Sequence, residues 1–352
     1  MAITSKPPLT LPDVPLLVGR TKTTDPAENN QVFSLLYDYE MVQLKPGDFG
    51  CDLEFAATSR ATLYSDQYGG SLHCLGVMLG DQIGLCIPVS NSSDAVWWGQ
   101  SIKKTQVPLG RSGKAVHVTF HPGQQNLVAV IDRQFCIERW QRPGFAAPPD
   151  IDEIFNRSGQ QFLSVDTAKL DRWRVRLANL LSRNPPGPVT LQGAAFENEI
   201  LTAFRSLLES AEECDVKDSV ARKLVESALD HVELAGPRGA AVADLCAELN
   251  VSRRTLEVAF RNVIGMSPLK YLTQRRLCRA FTSLKQASPD ETSVTDVALV
   301  HGFHELGRFA GRYQELFGEL PRETLRQRPT RSRRMLAGLR ELQPTSSSTR
   351  CM

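Results

Sequence analysis

The chain has 352 residues, 41% hydrophobic and 23% charged, with a formal net charge of +2. That length accommodates two ordinary domains, and that composition excludes disordered, collagen-like and disulfide-framework proteins. No apolar run reaches the length of a membrane span and the amino terminus lacks the apolar core of a secretory signal, so a cytoplasmic protein without a membrane partner is expected. The 8 cysteines form no Cys-x-x-Cys pair and read as reduced structural thiols.

In chain order, residues 1–30 are polar and proline-bearing and read as a flexible arm. From 31 to 142 the texture is β, in a segment that the family resemblance given below implies to be a sensing domain. Short runs rich in Val, Ile, Leu, Phe and Tyr are separated by the turn signals Lys45-Pro46-Gly47-Asp48, Tyr68-Gly69-Gly70, Gly110-Arg111-Ser112-Gly113 and His121-Pro122-Gly123. Strands are predicted near 31–44, 50–57, 61–67, 71–79, 82–88, 95–100, 115–121 and 126–132. About eight short strands at this spacing suit a small barrel or a sandwich. Trp97 and Trp98, adjacent on a strand, should face opposite ways, so at most one lines a ligand pocket.

Residues 143–236 read as a Pro/Gly/Ala linker and a helical segment, with helices near 167–182, 197–211 and 216–231. Leu170, Trp173, Leu177, Leu180 and Leu181 form an apolar stripe on the first of these. The stripe packs back on the β domain or, as the family resemblance given below implies, pairs two copies into a homodimer. Residues 327–352 form a basic tail, expected to be disordered.

Residues 237–326 carry the strongest signal, a supersecondary unit used twice. Asp244 matches Asp296 at an offset of 52. Beyond the turn the offset is 53, so that Leu256 matches Phe309, Phe260 matches Tyr313, Gly265 matches Gly318 and Pro268 matches Pro321. Each copy reads as a helix, a sharp turn and a second helix. In the first, Val242, Leu245, Cys246 and Leu249 face inward, Ser252 caps the next helix, and Leu256, Phe260 and Val263 are buried. In the second, Val294, Val297 and Ala298 pack inward, Gly302-Phe303 makes the turn, and Phe309, Tyr313 and Phe317 form the buried stripe. Between the copies, Ser267-Pro268 opens a helix of about 18 residues, a rod of about 27 Å, close to the ~34 Å repeat of B-DNA.

The outward residues are Ser252, Arg253, Arg254, Thr255, Glu257, Val258 and Arg261 in the first copy. In the second they are His304, Glu305, Gly307, Arg308, Gly311 and Arg312. Arg254 and Arg308 have the reach to pair with guanine; Arg253, Arg261, Arg276 and Arg312 suit phosphates. Between positions 238 and 340 there are 18 Lys/Arg against 10 Asp/Glu, the charge asymmetry of a DNA-binding half.

These residues resemble the AraC family of bacterial transcription regulators. The match is carried by Val251-Ser252-Arg253-Arg254-Thr255-Leu256, Gly265-Met266-Ser267-Pro268, Arg276-Leu277 and the run from Gly302-Phe303 to Pro321. His304 to Ala310, Tyr313 to Phe317 and Leu44 to Gly50 are similar to the ethanolamine-operon activator branch. The resemblance implies an α+β chain with an N-terminal cupin-like β domain, middle helices and a C-terminal double helix-turn-helix. It implies a promoter-binding activator with DNA, RNA polymerase and a small-molecule effector as partners. The narrower branch implies ethanolamine as effector, with a cobalamin; no cofactor follows from the residues themselves. The family usually reads bases from the positions of Val258 and Gly311, neither of which hydrogen-bonds through its side chain.

An alternative is a cupin-like barrel enzyme with an accessory nucleic-acid-binding domain. The histidines argue against it: His117 and His121, four apart on a strand, would stand about 13 Å apart, and His73 has only Cys74 beside it. No metal site, no nucleophile arrangement and no phosphate loop is legible, and the chain is expected not to be an enzyme.

Overall fold

The computed structural model describes residues 14–34, 36–47, 49–89, 96–141, 151–156, 161–182, 189–215 and 219–327. The amino-terminal part contains β1 (Leu17–Thr23), α1 (Pro26–Phe33), β2 (Tyr37–Gln43), β3 (Cys51–Ala57), β4 (Ala61–Tyr68), β5 (Leu72–Met78), β6 (Gln82–Pro88), β7 (Val96–Trp97), β8 (Gln100–Ser101), β9 (Gln106–Arg111), β10 (Ala115–Phe120), β11 (Gln125–Asp132) and α2 (Arg133–Trp140). There follow α3 (Ile151–Asn156), β12 (Gln161–Ser164), α4 (Thr167–Ser182), α5 (Val189–Ser210) and β13 (Glu212–Asp215). The helical end comprises α6 (Val220–Leu234), α7 (Val242–Glu248), α8 (Arg253–Val263), α9 (Pro268–Gln286), α10 (Val294–Val300), α11 (Leu306–Phe317) and α12 (Pro321–Arg326).

The chain is thus α+β, sheet-rich first and helical last. Among the described residues the strands form two sheets, ordered β1-β3-β4-β11-β6-β9-β12-β13 and β2-β5-β10-β7-β8, rather than one closed barrel. One apolar cluster, with Tyr64, Cys86 and Val128 from the first sheet and Met41, Cys74 and Val118 from the second, lies between them. The other face of the larger sheet is covered by α2, α4 and α5 through a second cluster that includes Leu85, Leu170, Trp173 and Phe204.

Several expectations change here. Residues 1–30 are not wholly an arm, because β1 pairs with β3 from Leu17↔Ala57 to Thr23↔Cys51 and Asp25 caps α1; residues 1–13 lie outside the described residues. The predicted strand 31–44 is the end of α1 followed by β2. The segment 143–236 is not a separate helical linker: β12 and β13 extend the larger sheet, whereas α6 belongs to the C-terminal core. The stripe on α4 packs back on the sheet, where Leu170, Trp173, Leu177 and Leu181 are buried. Trp98 does not continue a strand. It sits at φ 48° in the β7–β8 turn, so both indoles enter the core, 5.4 Å apart. The tail from 328 to 352 and the proline-bearing segments at 142–150 and 183–188 lie outside the described residues.

Candidate nucleic-acid interface

The two C-terminal units share their backbone conformation as well as their sequence. α7 and α10 each span seven residues, and the turn residue that follows is left-handed in both, Asn250 at φ 49° and Gly302 at φ 73°. Asn and Gly are the residues that adopt this conformation at low cost. The sequence slip has a local explanation: His304 is an extra residue between the turn and the next helix, so α8 is capped by Ser252 and α11 by Glu305. Ser252 Oγ accepts from the Thr255 amide at 3.1 Å, and α10 opens on a capping box between Ser293 and Asp296.

Burial fixes which face each second helix presents. Leu256, Ala259, Phe260 and Val263 of α8 are buried, as are Phe309, Tyr313 and Leu316 of α11. Phe303 wedges under α11, its ring centroid 4.9 Å from that of Phe309. Phe317 is only partly buried; Leu316, which the aromatic stripe obscured, takes the inward position. α9 runs 19 residues between the units, a rod of about 28 Å.

The opposite faces hold the predicted readers. Ser252, Arg253, Arg254, Thr255, Val258 and Arg261 are exposed and Glu257 is half-buried on α8 and its cap; His304, Glu305, Gly307, Arg308, Gly311 and Arg312 are exposed on and before α11. Among the described residues Arg254, Arg261 and Arg312 carry no ion pair, while Arg253 meets Glu257 at 3.3 Å and Arg308 meets Glu305 at 3.0 Å. Exposed pairs of this kind are worth about 0–1 kcal/mol, so they barely oppose an exchange for phosphate or guanine. A Cβ added at Gly307 or Gly311 would meet nothing within 4 Å, so α11 presents bare backbone on this face.

The linker helix departs from expectation. Arg276 is half-buried, with its guanidinium 5.1 Å from the Phe303 ring centroid. Arg275 is turned inward, 2% exposed, and with Arg279 it holds Glu40 of β2 and Glu233 of α6. Burial works against the Glu40 carboxylate, but the hydrogen bonds and charges of Arg279 and Arg275 prevail and hold it below the usual range. A helical wheel carried the signal, since Arg275 shares a face with Tyr271, Leu272 and Cys278. Further joints bind the sheet to the helices: Gln43 Nε2 donates to the Leu316 carbonyl and Gln274 Nε2 to that of Leu44, each at 3.0 Å.

The histidines are also rearranged. His121 lies beyond the end of β10. His73 and His117 come together across β5 and β10, their ring centroids 6.0 Å apart, and His73 Nδ1 shares a 2.8 Å hydrogen bond with the Tyr271 hydroxyl of α9. Burial pushes the His117 imidazole down to about 4, with the charges of Arg222 and Arg275 adding to it. Among the described residues no group of three or more His, Cys, Asp or Glu is arranged to hold a metal ion.

A second feature escaped the sequence. Between the two sheets a cavity is walled by Phe33, Tyr37, Tyr39, Tyr64, Tyr68, Trp97 and Phe120, with Asp66 in its lining. The Asp66 carboxylate accepts from Asn126 Nδ2 at 2.8 Å and from the Tyr68 hydroxyl at 3.2 Å. Burial nevertheless pushes it up to about 6, because those bonds return only part of the lost hydration. Trp97 Nε1 is buried with no partner among the described residues.

With this geometry in view, the family match falls on the same segment. Residues 245–327 match the family described as "Helix-turn-helix domain". Over 108 residues the chain is 37% identical to the "Probable thc operon regulatory protein" of Rhodococcus erythropolis, covering 31% of this chain and 32% of that protein. Over 77 residues it is 42% identical to the "XylDLEGF operon transcriptional activator" of Pseudomonas putida, covering 22% of this chain and 24% of that one. The chain therefore spans about a third or less of the length of these relatives. Among solved structures, an AraC-type transcriptional regulator from Chromobacterium violaceum is 28% identical, covering 31% of this chain and 94% of that one, with a TM-score of 0.28. Residues 245–327 thus match a helix-turn-helix domain, and about a third or less of the chain is similar to named transcriptional regulators. No described helix is long and apolar enough to cross a membrane.

Proposed function

We propose that the chain is a cytoplasmic, ligand-responsive, sequence-specific transcription activator of the AraC type. The observation that carries the reading is the doubled unit: two helices, α8 and α11, each pinned by a buried aromatic or aliphatic stripe and each presenting arginines outward, joined by one rigid helix. A helix pinned this way suits a major groove, and a rod of about 28 Å suits two successive groove segments. In this reading Arg254 and Arg308 contact base edges. Arg253, Arg261 and Arg312 contact phosphates, together with the hydroxyls of Ser252 and Thr255. Val258 meets a thymine methyl, and Gly307 and Gly311 allow close approach of the backbone. The relatives named above, two of which carry "regulatory protein" or "transcriptional activator" in their names, support it. RNA polymerase is the proposed second partner at the promoter.

The proposed effector is a small organic ammonium ion, of which ethanolamine is one. The cavity between the sheets supplies what such a cation needs: aromatic faces and a buried carboxylate, Asp66. Trp97, whose N–H has no partner among the described residues, also belongs to the lining. Binding at that site shifts the population of domain arrangements toward the DNA-competent one.

Titrating the protein against its own upstream DNA over a range of salt tests the first part. A slope of several ions and a preference for that duplex over a scrambled one are expected, and a flat salt response would overturn it. Thermal shift with ethanolamine and tetramethylammonium tests the second: stabilisation of the parent protein that disappears in Asp66→Asn is expected, and equal shifts in both would remove the cavity from the account.

A further inference from the structure

A second cleft lies outside the sheets, where β2 and β5 meet α9, the end of α6 and the Pro237 loop. It is an open cavity of about 630 Å³. Arg275 and Arg279 form part of its wall, facing Glu40 and Glu233. The four charges are unequal in their settings. Glu40 is tied by both arginines, accepting at 2.6–2.8 Å. Glu233 is 62% exposed at its side chain and touches the guanidinium groups through one oxygen, Oε2. Arg275 is 2% exposed, yet its Nη1 has no hydrogen-bond partner among the described residues. A buried guanidinium nitrogen without an acceptor is costly, and native structures seldom leave one so.

We infer that this cleft is a binding site for a small oxyanion, a carboxylate or phosphate group, which occupies the Arg275–Arg279 pair in place of Glu233 and supplies the acceptor that Arg275 Nη1 lacks. The chemistry is that of a two-arginine anion seat: planar donors beside a cavity large enough for the rest of the molecule, with the unspent Arg275 Nη1 closed off from solvent until a neighbouring group moves aside. Glu40 stays as the counter-charge that keeps the seat assembled while it is empty. Glu233 is the gate, since it is the exposed and singly attached member.

Displacement has a mechanical consequence. Glu233 lies near the end of α6, and α6 packs directly on α8 through the C-terminal core. An oxyanion in the seat therefore unties α6 from α9 while β2 remains tied to it, and α8 is the first neighbour to respond. Anion binding itself does not depend on the DNA-reading proposal; only this last step does.

The test uses the full chain, with sodium acetate and inorganic phosphate as separate probes at constant ionic strength, followed by calorimetric titration. The parent should bind at least one probe. Glu233→Gln, which removes the competing charge from an exposed position, should bind it about tenfold tighter. Arg279→Gln should weaken it by a similar factor. Arg254→Ala, on the DNA-reading face, should bind as the parent does. Preference for acetate or for phosphate identifies the oxyanion class. Equal affinity in the parent and Glu233→Gln, absence of binding to both proteins, or a loss confined to Arg254→Ala would each overturn the inference. The Glu233→Gln comparison stands even where Arg279→Gln fails to fold. DNA affinity measured with and without the probe reads the mechanical step separately.

Discussion

Replacing Gly302 by alanine tests whether the two units are one turn used twice. Gly302 sits at φ 73°, a conformation that costs an ordinary L-residue about 1–2 kcal/mol. The new Cβ would lie 3.3 Å from Arg276 Nη1 and 3.5 Å from the Arg238 carbonyl oxygen, close to ordinary contact and against the movable end of a long side chain, so sterics add little. Alanine also lowers the entropy of the unfolded chain, returning about 0.4–1 kcal/mol. The net loss is then about 1 kcal/mol, and amides of α10 and α11 should exchange with solvent about fivefold faster under native conditions. Asn250, at φ 49° in the first unit, provides the control. Asn250→Gly keeps access to the same conformation and should leave α7 and α8 exchange within about twofold of the parent. Unchanged exchange in Gly302→Ala, or an equal acceleration in Asn250→Gly, would refute the reasoning that a left-handed turn residue sets each pair of helices.

Three further expectations follow from the packing and the titrating groups. Gly307→Ala and Gly311→Ala should each stabilise α11 by about 1 kcal/mol, since the new methyl meets nothing, yet weaken DNA binding; a stabilised variant with parental DNA affinity would show that backbone approach is not their use. Trp173→Ala should cost about 3–5 kcal/mol in chemical denaturation without changing the oligomeric state, because the α4 stripe is spent on the sheet; a change in sedimentation with little loss of stability would reverse that assignment. Asp66, raised to about 6, contributes stability that is present below its unfolded value of about 4 and lost as pH rises through 6. His117, lowered to about 4, contributes stability present above about 6.5 and lost as pH falls through 4. The two slopes oppose each other between pH 4 and 6.5. Asp66→Asn removes one, so its stability should climb more steeply with pH than the parent's, and parallel pH profiles would contradict the burial of that carboxylate.

The C-terminal pair of helix-turn-helix units was legible because its determinants are local. Apolar positions three and four apart, the caps Ser252 and Ser293, the turn residues Asn250 and Gly302 and the repeat itself all act within a few residues. The β domain was legible as texture but not as topology. Strands β9, β12 and β13 are too short or too polar to stand out, and their partners are distant in sequence; β12, for example, lies between β9 and β13. The two proposed sites outside the helix-turn-helix units, Asp66 with its aromatic walls and Arg275 with its carboxylates, join residues from many elements. Arg275 meets Glu40 across 235 positions, a distance no periodicity records. The charge of Arg276 was visible in the sequence, but the ring of Phe303 beneath it was not.

Hydroxyl-radical footprinting of the parent protein, Arg254→Ala and Arg308→Ala on the chain's own upstream DNA tests the central claim most directly. The parent should protect two segments on one face of the duplex, centred about 10 base pairs apart. Arg254→Ala should lose one of them and Arg308→Ala the other, each at a cost of about 1–3 kcal/mol in affinity. A single protected segment, or two variants whose footprints and affinities match the parent's, would contradict the account.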